Sequence, residues 1–385
     1  MKKQQQQLNI AMFGHKRIPS REGGVEVVVE ELSTRMAAMG HNVICYNRRG
    51  HHVSGAEFDG TAPLESYRGV TLRTVWTWNK KGLAAVTSSF LAAVRCAFSR
   101  ADVVHIHAEG PAFMSWIPKL FGKKVIVTVH GLDWQREKWN GGIGSKYIRM
   151  GERMAVRFAS QIIVLSRNVQ TYFQNIYGRK TQWIPNGVTR PEMAAASVIT
   201  KEFGLEKDGY LLFLGRLVPE KGIHYLIEAY KKLDTTKRLV IAGGASDTNT
   251  YMQELKNQAK EDPRILFTGF VQGRALDELY SNAYIYILPS DIEGMPLSLL
   301  EAMSYGNCCL TSDIEECTEV TDGRGVSFEK GNVEDLARKL QLLCEDESLV
   351  AKYKAEAADY ICQRYSWDAV VQETLMLYCG EKVSQ

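Results

Sequence analysis

Arg216 and Lys221 stand five positions apart in the run Leu214-Gly215-Arg216-Leu217-Val218-Pro219-Glu220-Lys221-Gly222, between a short apolar stretch and a helix-like segment that begins at Ile223. An arginine fork and a lysine point charge bracketing a helix start can neutralise a diphosphate without a metal ion. Two solvated surface cations are the plain alternative. A second segment, Pro289 to Glu301, follows the apolar run at Ile285 to Leu288. Its sequence places Glu293 in a loop with Gly294 and Met295, Pro296 as the first residue of a helix continuing through Leu297, and Glu301 more than a turn inside that helix. Two carboxylates so placed can accept protons from different hydroxyls of one ligand, adjacent ribose hydroxyls among them. Eight residues of spacing mean little alone; the strand, glycine and proline around them give them weight.

Two further segments carry chemistry. Gly14 to Gly24 ends in Glu22-Gly23-Gly24 directly before a helical pattern over Val25 to Met39. Bare backbone N–H groups at the positive end of a helix suit a phosphate or a developing anion, though a flexible glycine turn accounts for the pattern equally well and no Gly-x-Gly-x-x-Gly follows this strand. The run from His130 to Trp139 follows the apolar stretch ending at Val129 and holds a histidine, the acid Asp133 and two tryptophans. It reads as a sugar platform, with His130 as a strand cap the simpler alternative.

The elements that must position these loops are apolar runs separated by helix-length segments. They fall at Leu8 to Phe13, Asn42 to Tyr46, Val103 to Ile106, Lys124 to Val129 and Gln161 to Leu165, and again at Tyr210 to Leu214, Arg238 to Ala242, Ile265 to Thr268, Ala283 to Leu288 and Cys308 to Thr311. Such alternation predicts two doubly wound parallel sheets, and 385 residues exceed what one core serves. The expected architecture is α/β, with two Rossmann-like domains facing a central cleft. The first spans 1–195, the second 205–366, with a linker at about 188–205. In such sheets ligands sit beyond the carboxyl ends of the strands.

Composition is globular, 45% hydrophobic and 24% charged. No apolar stretch reaches the ~18 residues of a membrane span, so a cytoplasmic protein is expected. Net charge is +3, yet residues 1–195 hold 27 Lys/Arg against 13 Asp/Glu, a balance of +14, and the remainder holds 20 against 31, a balance of −11. A basic half suits an anionic membrane surface or an anionic acceptor. Trp76, Trp78, Lys80 and Lys81 interleave aromatic and basic residues, but they fit the mouth of an acceptor site better than nucleic acid. The eight cysteines are scattered, without a Cys-x-x-Cys pair, and read as reduced structural thiols. His105 and His107 are expected on opposite faces of their strand, His51 and His52 lie in a loop, and no metal or other cofactor is predicted.

Taken together the segments resemble the retaining glycosyltransferases of family 4, over nearly the full length; the most specific mark is Glu-x7-Glu, present as Glu293 and Glu301. Ile184 to Val188, Phe267-Thr268-Gly269-Phe270-Val271 and Tyr365-Ser366-Trp367 are similar to further family segments. The resemblance implies a GT-B fold and a nucleoside-diphosphate sugar donor. It implies Glu293 at hydroxyls of the donor sugar, Glu301 at the ribose, and Arg216 and Lys221 at the diphosphate. By the same resemblance Gly269 to Val271 contact the base, Gly294 to Leu297 complete the donor contacts, and Gly23 and Gly24 approach the phosphates or acceptor. His130 lies beside the transferred sugar, with Asp133 aiding sugar or acceptor binding. A last helix, about 367–385, is implied to complete the first domain. The Gly14 to Gly24 loop and the His130 run are similar to enzymes that add rhamnose or a related sugar to a glycan or polyprenyl-pyrophosphate-linked acceptor in surface-polysaccharide assembly. A nucleotide-sugar epimerase or hydrolase, and a non-catalytic partner of a glycosylation complex, are the competing readings.

Overall fold

The computed structural model describes residues 7–50, 64–78, 80, 82–135, 142–244 and 250–381; His51, His52, Lys81 and residues 136–139 of the His130 run lie outside them. The chain divides into two compact units, Met1–Asn186 with Trp367–Gln385, and Gly187–Ser366.

In the first unit the strands are β1 (Asn9–Phe13), β2 (Asn42–Arg48), β3 (Ser66–Tyr67), β4 (Val70–Val75), β5 (Val103–His107), β6 (Lys124–Val129), β7 (Gln161–Val164) and β8 (Gln182–Trp183). They form one sheet in the order β3-β4-β2-β1-β5-β6-β7-β8, parallel except for β3 against β4. The near-continuous burial of β1, β5 and β6 is what a sheet covered on both faces requires. The helix Trp367–Cys379 belongs to this unit. Tyr378 OH bonds His105 Nδ1 at 2.6 Å, Lys124 Nζ donates to Tyr378 O at 2.8 Å, and Arg35 pairs with Asp368 at 2.6 Å.

The second unit carries β9 (Tyr210–Leu214), β10 (Arg238–Ala242), β11 (Ile265–Gly269), β12 (Ile285–Leu288), β13 (Cys308–Ser312) and β14 (Val326–Phe328), all parallel in the order β11-β10-β9-β12-β13-β14. Strand order reverses at β1, between β2 and β5, and at β9, between β10 and β12. Each unit therefore has one topological switch point, where a ligand crevice is expected at the carboxyl ends.

The linker expected at 188–205 is instead structured within the second unit, which moves the boundary to Asn186/Gly187. The Val188 amide bonds Tyr365 O at 2.7 Å, Asn282 Nδ2 donates to Ala194 O at 2.8 Å, and Val198–Phe203 is a helix. The Ser197 and Ile199 amides donate to the buried carboxylate of Glu278 at 2.8 and 3.1 Å. The backbone partners of this polar, alanine-rich stretch come from 79 to 88 residues away in sequence, and that of Val188 from farther still, so local composition misreads it.

Candidate functional site

At the second switch point β9 runs into the Arg216 loop and β12 into the Glu293 loop. Gly222, at φ +64°, permits the close approach of the two: a Cβ there would stand 2.0 Å from Pro289 O. Gly243, at φ +146°, likewise leaves room for Gly215 O, 1.8 Å from its would-be Cβ. Only glycine fits a left-handed conformation at such contact. The Asp291 amide then donates to Glu220 O at 2.9 Å, tying the two loops together.

This closeness joins two of the predicted residues directly. Lys221 Nζ donates to Glu293 Oε1 at 2.5 Å, and Ser290 Oγ donates to the same oxygen at 2.6 Å. Ser290 is itself held from below, its carbonyl accepting from Ser312 Oγ at 2.5 Å. The lysine and glutamate side chains are only 14% and 9% exposed. Arg216 differs: it is half-buried, and among the described residues its side chain has no acid or hydrogen-bond partner. A guanidinium held half out of water without a counter-charge is a ready site for an anion.

Pro296 occupies the residue before the helix Leu297–Ser304, not its first turn as the sequence suggested. Its φ of −76° with ψ of 102° is extended, and the helical dihedrals begin one residue later. Glu301 lies on this helix, one oxygen taken by Tyr280 OH at 3.2 Å. Tyr286 OH donates to Ser298 Oγ at 2.8 Å on the same helix. Gly269 closes β11 at φ +73° and is exposed, with Val271 two residues beyond it. The second unit thus joins Lys221 and Glu293 directly, with Arg216 in the loop after β9 that leads to Lys221, Glu301 on the helix after the Glu293 loop, and Gly269 to Val271 on the far side of β10.

In the first unit Gly14, at φ +114°, lets β1 meet the end of β5; a Cβ would fall 2.1 Å from His107 O. Gly23 precedes the helix Gly24–Ala38. A Cβ on Gly23 would stand 2.6 Å from Glu26 Oε2, while Glu26 Oε1 accepts the Lys16 amide at 2.8 Å. An internal, buried carboxylate therefore already stands at this positive helix end, which makes the Arg216 loop the stronger anion site. His130 Nε2 lies 3.1 Å from His107 Nδ1, and the Asp133 amide donates to Glu109 Oε2 at 2.7 Å. Trp134 does not present an open platform: Arg149 lies over its ring at 4.2 Å, and Tyr172 is adjacent at 6.3 Å.

Residues 22–190 match the family described as Glycosyltransferase Family 4, and residues 198–360 that described as Glycosyl transferases group 1. The chain is a glycosyltransferase of the GT-B, family 4 type. It is 25% identical to the uncharacterized glycosyltransferase MJ1607 of Methanocaldococcus jannaschii over 72% of this chain and 75% of that one. It is 27% identical to the N,N'-diacetylbacillosaminyl-diphospho-undecaprenol alpha-1,3-N-acetylgalactosaminyltransferase of Campylobacter jejuni, over 62% and 68%. The fold is shared with Anabaena Alr3699/HepE in complex with UDP and glucose, at a TM-score of 0.80 and 17% identity over 97% of this chain and all of that one.

The glycosyltransferase also holds residues that the sequence did not single out. Ser290 and Tyr280 orient the two glutamates, and Ser290 sat unremarked inside the Glu293 segment. His105 and His107 share a face, their rings 4.1 Å apart, because residues i and i+2 of a strand point the same way. The expectation of opposite faces was an error of strand geometry. Among the described residues no group of three or more His, Cys, Asp or Glu is arranged to hold a metal ion.

The buried histidines have a measurable consequence. Burial lowers His105 to about 3 and His15 to about 4, and holds His107 well below its ordinary value; nearby His130 adds to the shift of His105 and His107. All three are neutral in the folded enzyme, while unfolded histidines protonate near ~6.5. As pH falls from about 6.5 to 4, the unfolded state binds more protons and stability declines, by about 1.4 kcal/mol per pH unit for each histidine. His105→Gln is expected to flatten that decline in calorimetry between these pH values; an unchanged slope would show that His105 does not carry its share.

Proposed function

We propose that this enzyme transfers a hexose or deoxyhexose, with rhamnose the deoxyhexose suggested by the resemblance, from a nucleoside-diphosphate sugar to a glycan or polyprenyl-pyrophosphate-linked acceptor, with retention and without a metal ion. The observation that carries the reading is the buried Lys221–Glu293 pair at a switch point, with half-buried Arg216, without an internal side-chain partner among the described residues, five positions before Lys221 in the same loop. Arg216 binds the diphosphate, Glu293 and the amides of Gly294 to Leu297 take the sugar end, and Glu301 takes the ribose. Gly269 and Val271 line the base. On the first unit Gly23, Gly24, His130 and Asp133 serve the sugar and acceptor. Glu293 is already bonded to Lys221 and Ser290, which suits a hydroxyl-binding carboxylate better than a nucleophile. A front-face displacement follows: the anomeric C–O bond breaks toward the diphosphate, the acceptor oxygen bonds the same face, and the departing phosphate oxygen takes the acceptor's proton. Arg216 and Lys221 stabilise the charge on that phosphate. The names of the Campylobacter and Anabaena proteins support a lipid-diphosphate acceptor and a nucleotide-sugar donor.

The test is thermal stabilisation by UDP, dTDP, GDP and NAD and by their sugar conjugates, with and without Mg²⁺. One nucleoside diphosphate is expected to raise Tm regardless of Mg²⁺, and Glu301→Ala to abolish the rise. A shift with NAD alone, or none, would refute the donor assignment. Donor consumption without any acceptor would favour the epimerase or hydrolase reading.

The acceptor's membrane enters through a distinct surface. Residues 66–101 contain six Lys/Arg and no acid. The helix Leu83–Ala97 exposes Leu83 and Phe90, Phe98 follows it at 73% exposure with its ring edge-to-face to exposed Phe121 at 4.7 Å, and Trp76 and Trp78 are exposed before it. Apolar side chains among cations fit the inner, anionic leaflet of the cell membrane. Co-sedimentation with phosphatidylglycerol vesicles is expected at low salt, weaker at high salt and weaker again in Phe90→Asp with Phe98→Asp. Equal binding to phosphatidylcholine vesicles would refute the electrostatic part.

A further inference from the structure

Behind the His130 loop lies a pair of buried acids that donor binding does not use. Glu109 follows β5 and is 1% exposed; Glu152, on the helix Ile143–Phe158, is fully buried. The two elements pack as closely as backbone allows, since a Cβ on Gly151 would stand 1.9 Å from Glu109 O. Each acid has one oxygen satisfied. Glu109 Oε2 accepts the Asp133 amide, and Glu152 Oε2 accepts Tyr177 OH at 2.6 Å and Tyr172 OH at 3.1 Å. The other oxygen of each, Glu109 Oε1 and Glu152 Oε1, is buried and without a hydrogen-bond partner among the described residues. Neither acid has an ion-pair partner there either.

Two dry carboxylate oxygens left over on neighbouring acids are accounted for together by one proton between them. We propose that Glu109 and Glu152 share a proton, and that this neutral-plus-anionic pair positions the Gly131 to Gln135 loop through the bond from Glu109 to the Asp133 amide. Like charges at contact in a buried site cannot both ionise. The electrostatics agree in direction: burial, then Asp133, then Glu152 hold the Glu109 carboxyl well above the usual range. The groups facing the pair are Asp133 from the loop, Tyr172 and Tyr177 from the helix Arg167–Tyr177, and Arg153, which acts on Tyr177 from the helix Ile143–Phe158. No cation offsets Glu109 itself among the described residues. Losing the proton at alkaline pH places two charges side by side and loosens the segment that carries Asp133 and Trp134. Its importance for sugar or acceptor binding rests on the function proposed above; the shared proton does not.

The experiment follows the pair and the loop without substrate. The infrared carbonyl band of a protonated carboxyl is recorded at neutral pH for wild type, Glu109→Gln and Glu152→Gln, and wild-type minus Trp134→Phe fluorescence is titrated to alkaline pH. Wild type is expected to show the band and both glutamine variants to lose it. In wild type the band and the Trp134 signal are expected to change over the same pH interval. Glu109→Gln, whose amide can donate to Glu152 Oε1 and still accept the Asp133 amide, keeps the neutral-pH fluorescence and loses the alkaline change; Glu109→Ala alters the fluorescence at every pH. Absence of the band in wild type, or an alkaline transition that survives in Glu109→Gln, would overturn the proposal. Nucleotide stabilisation measured alongside separates the two readings: its failure with the band intact removes the donor assignment and leaves the shared proton standing.

Discussion

Arg216→Ala is expected to lower kcat by about 10²–10³-fold, the loss typical of removing one preorganised donor to a developing oxyanion, while leaving Tm within a degree or two of wild type. The stability half of this expectation comes from geometry. The Arg216 side chain has no internal partner among the described residues, so truncation strands no acid and breaks no network. The rate half comes from chemistry. If the guanidinium meets the diphosphate mainly as charge builds on the leaving oxygen, the loss falls on kcat and kcat/KM equally; a rise in KM alone would mean that it binds ground state and transition state equally. Arg216→Lys restores charge without the planar fork and is expected to recover part of the rate. Steady-state kinetics and a melting curve on the three proteins decide it. A fall in kcat below tenfold, with the fold intact, would remove Arg216 from the leaving-group site.

Much of this arrangement was legible in the sequence because it is written locally. The runs at Tyr210 to Leu214 and Ile285 to Leu288 announce strands, glycines and prolines punctuate the segments after them, and the loops at the carboxyl ends are then fixed by the general behaviour of parallel sheets. The structure adds a reason for one of those glycines: Gly222 is where the Arg216 loop passes within contact of Pro289 O. The hidden part is long-range. Nothing near Lys221 says that its partner is Glu293, 72 residues on. Nothing in the alanine-rich stretch after Gly187 says that Asn282, Ser281 and Glu278 satisfy its backbone. Short or atypical strands also escaped: β3 and β8 have two residues each, β14 three, and β4 alternates too briefly to stand out. Nothing around Glu109 in the sequence marks it out, because burial, the fact that makes it unusual, is a property of the fold.

The Lys221–Glu293 contact separates stability from turnover in a way that Arg216 does not. Lys221→Ala leaves a 9%-exposed carboxylate supported, among the described residues, by Ser290, and is expected to cost about 2 kcal/mol, between the small value of exposed pairs and the larger one of fully buried pairs. It is also expected to lower kcat by about 10²-fold, since the same ammonium faces the phosphate in the proposed reaction. Glu293→Gln removes the stranded charge but keeps an oxygen for Ser290 Oγ, so adding it to Lys221→Ala is expected to restore most of the lost stability. Turnover is not expected to return. The double variant should be no faster than the slower single one, because the two residues act as a unit and their losses do not add. Denaturant midpoints and kcat on the four proteins complete the cycle. If stability and turnover recover together, the pair is structural scaffolding for the loop; if stability recovers alone, the charges of Lys221 and Glu293 are used by the reaction itself.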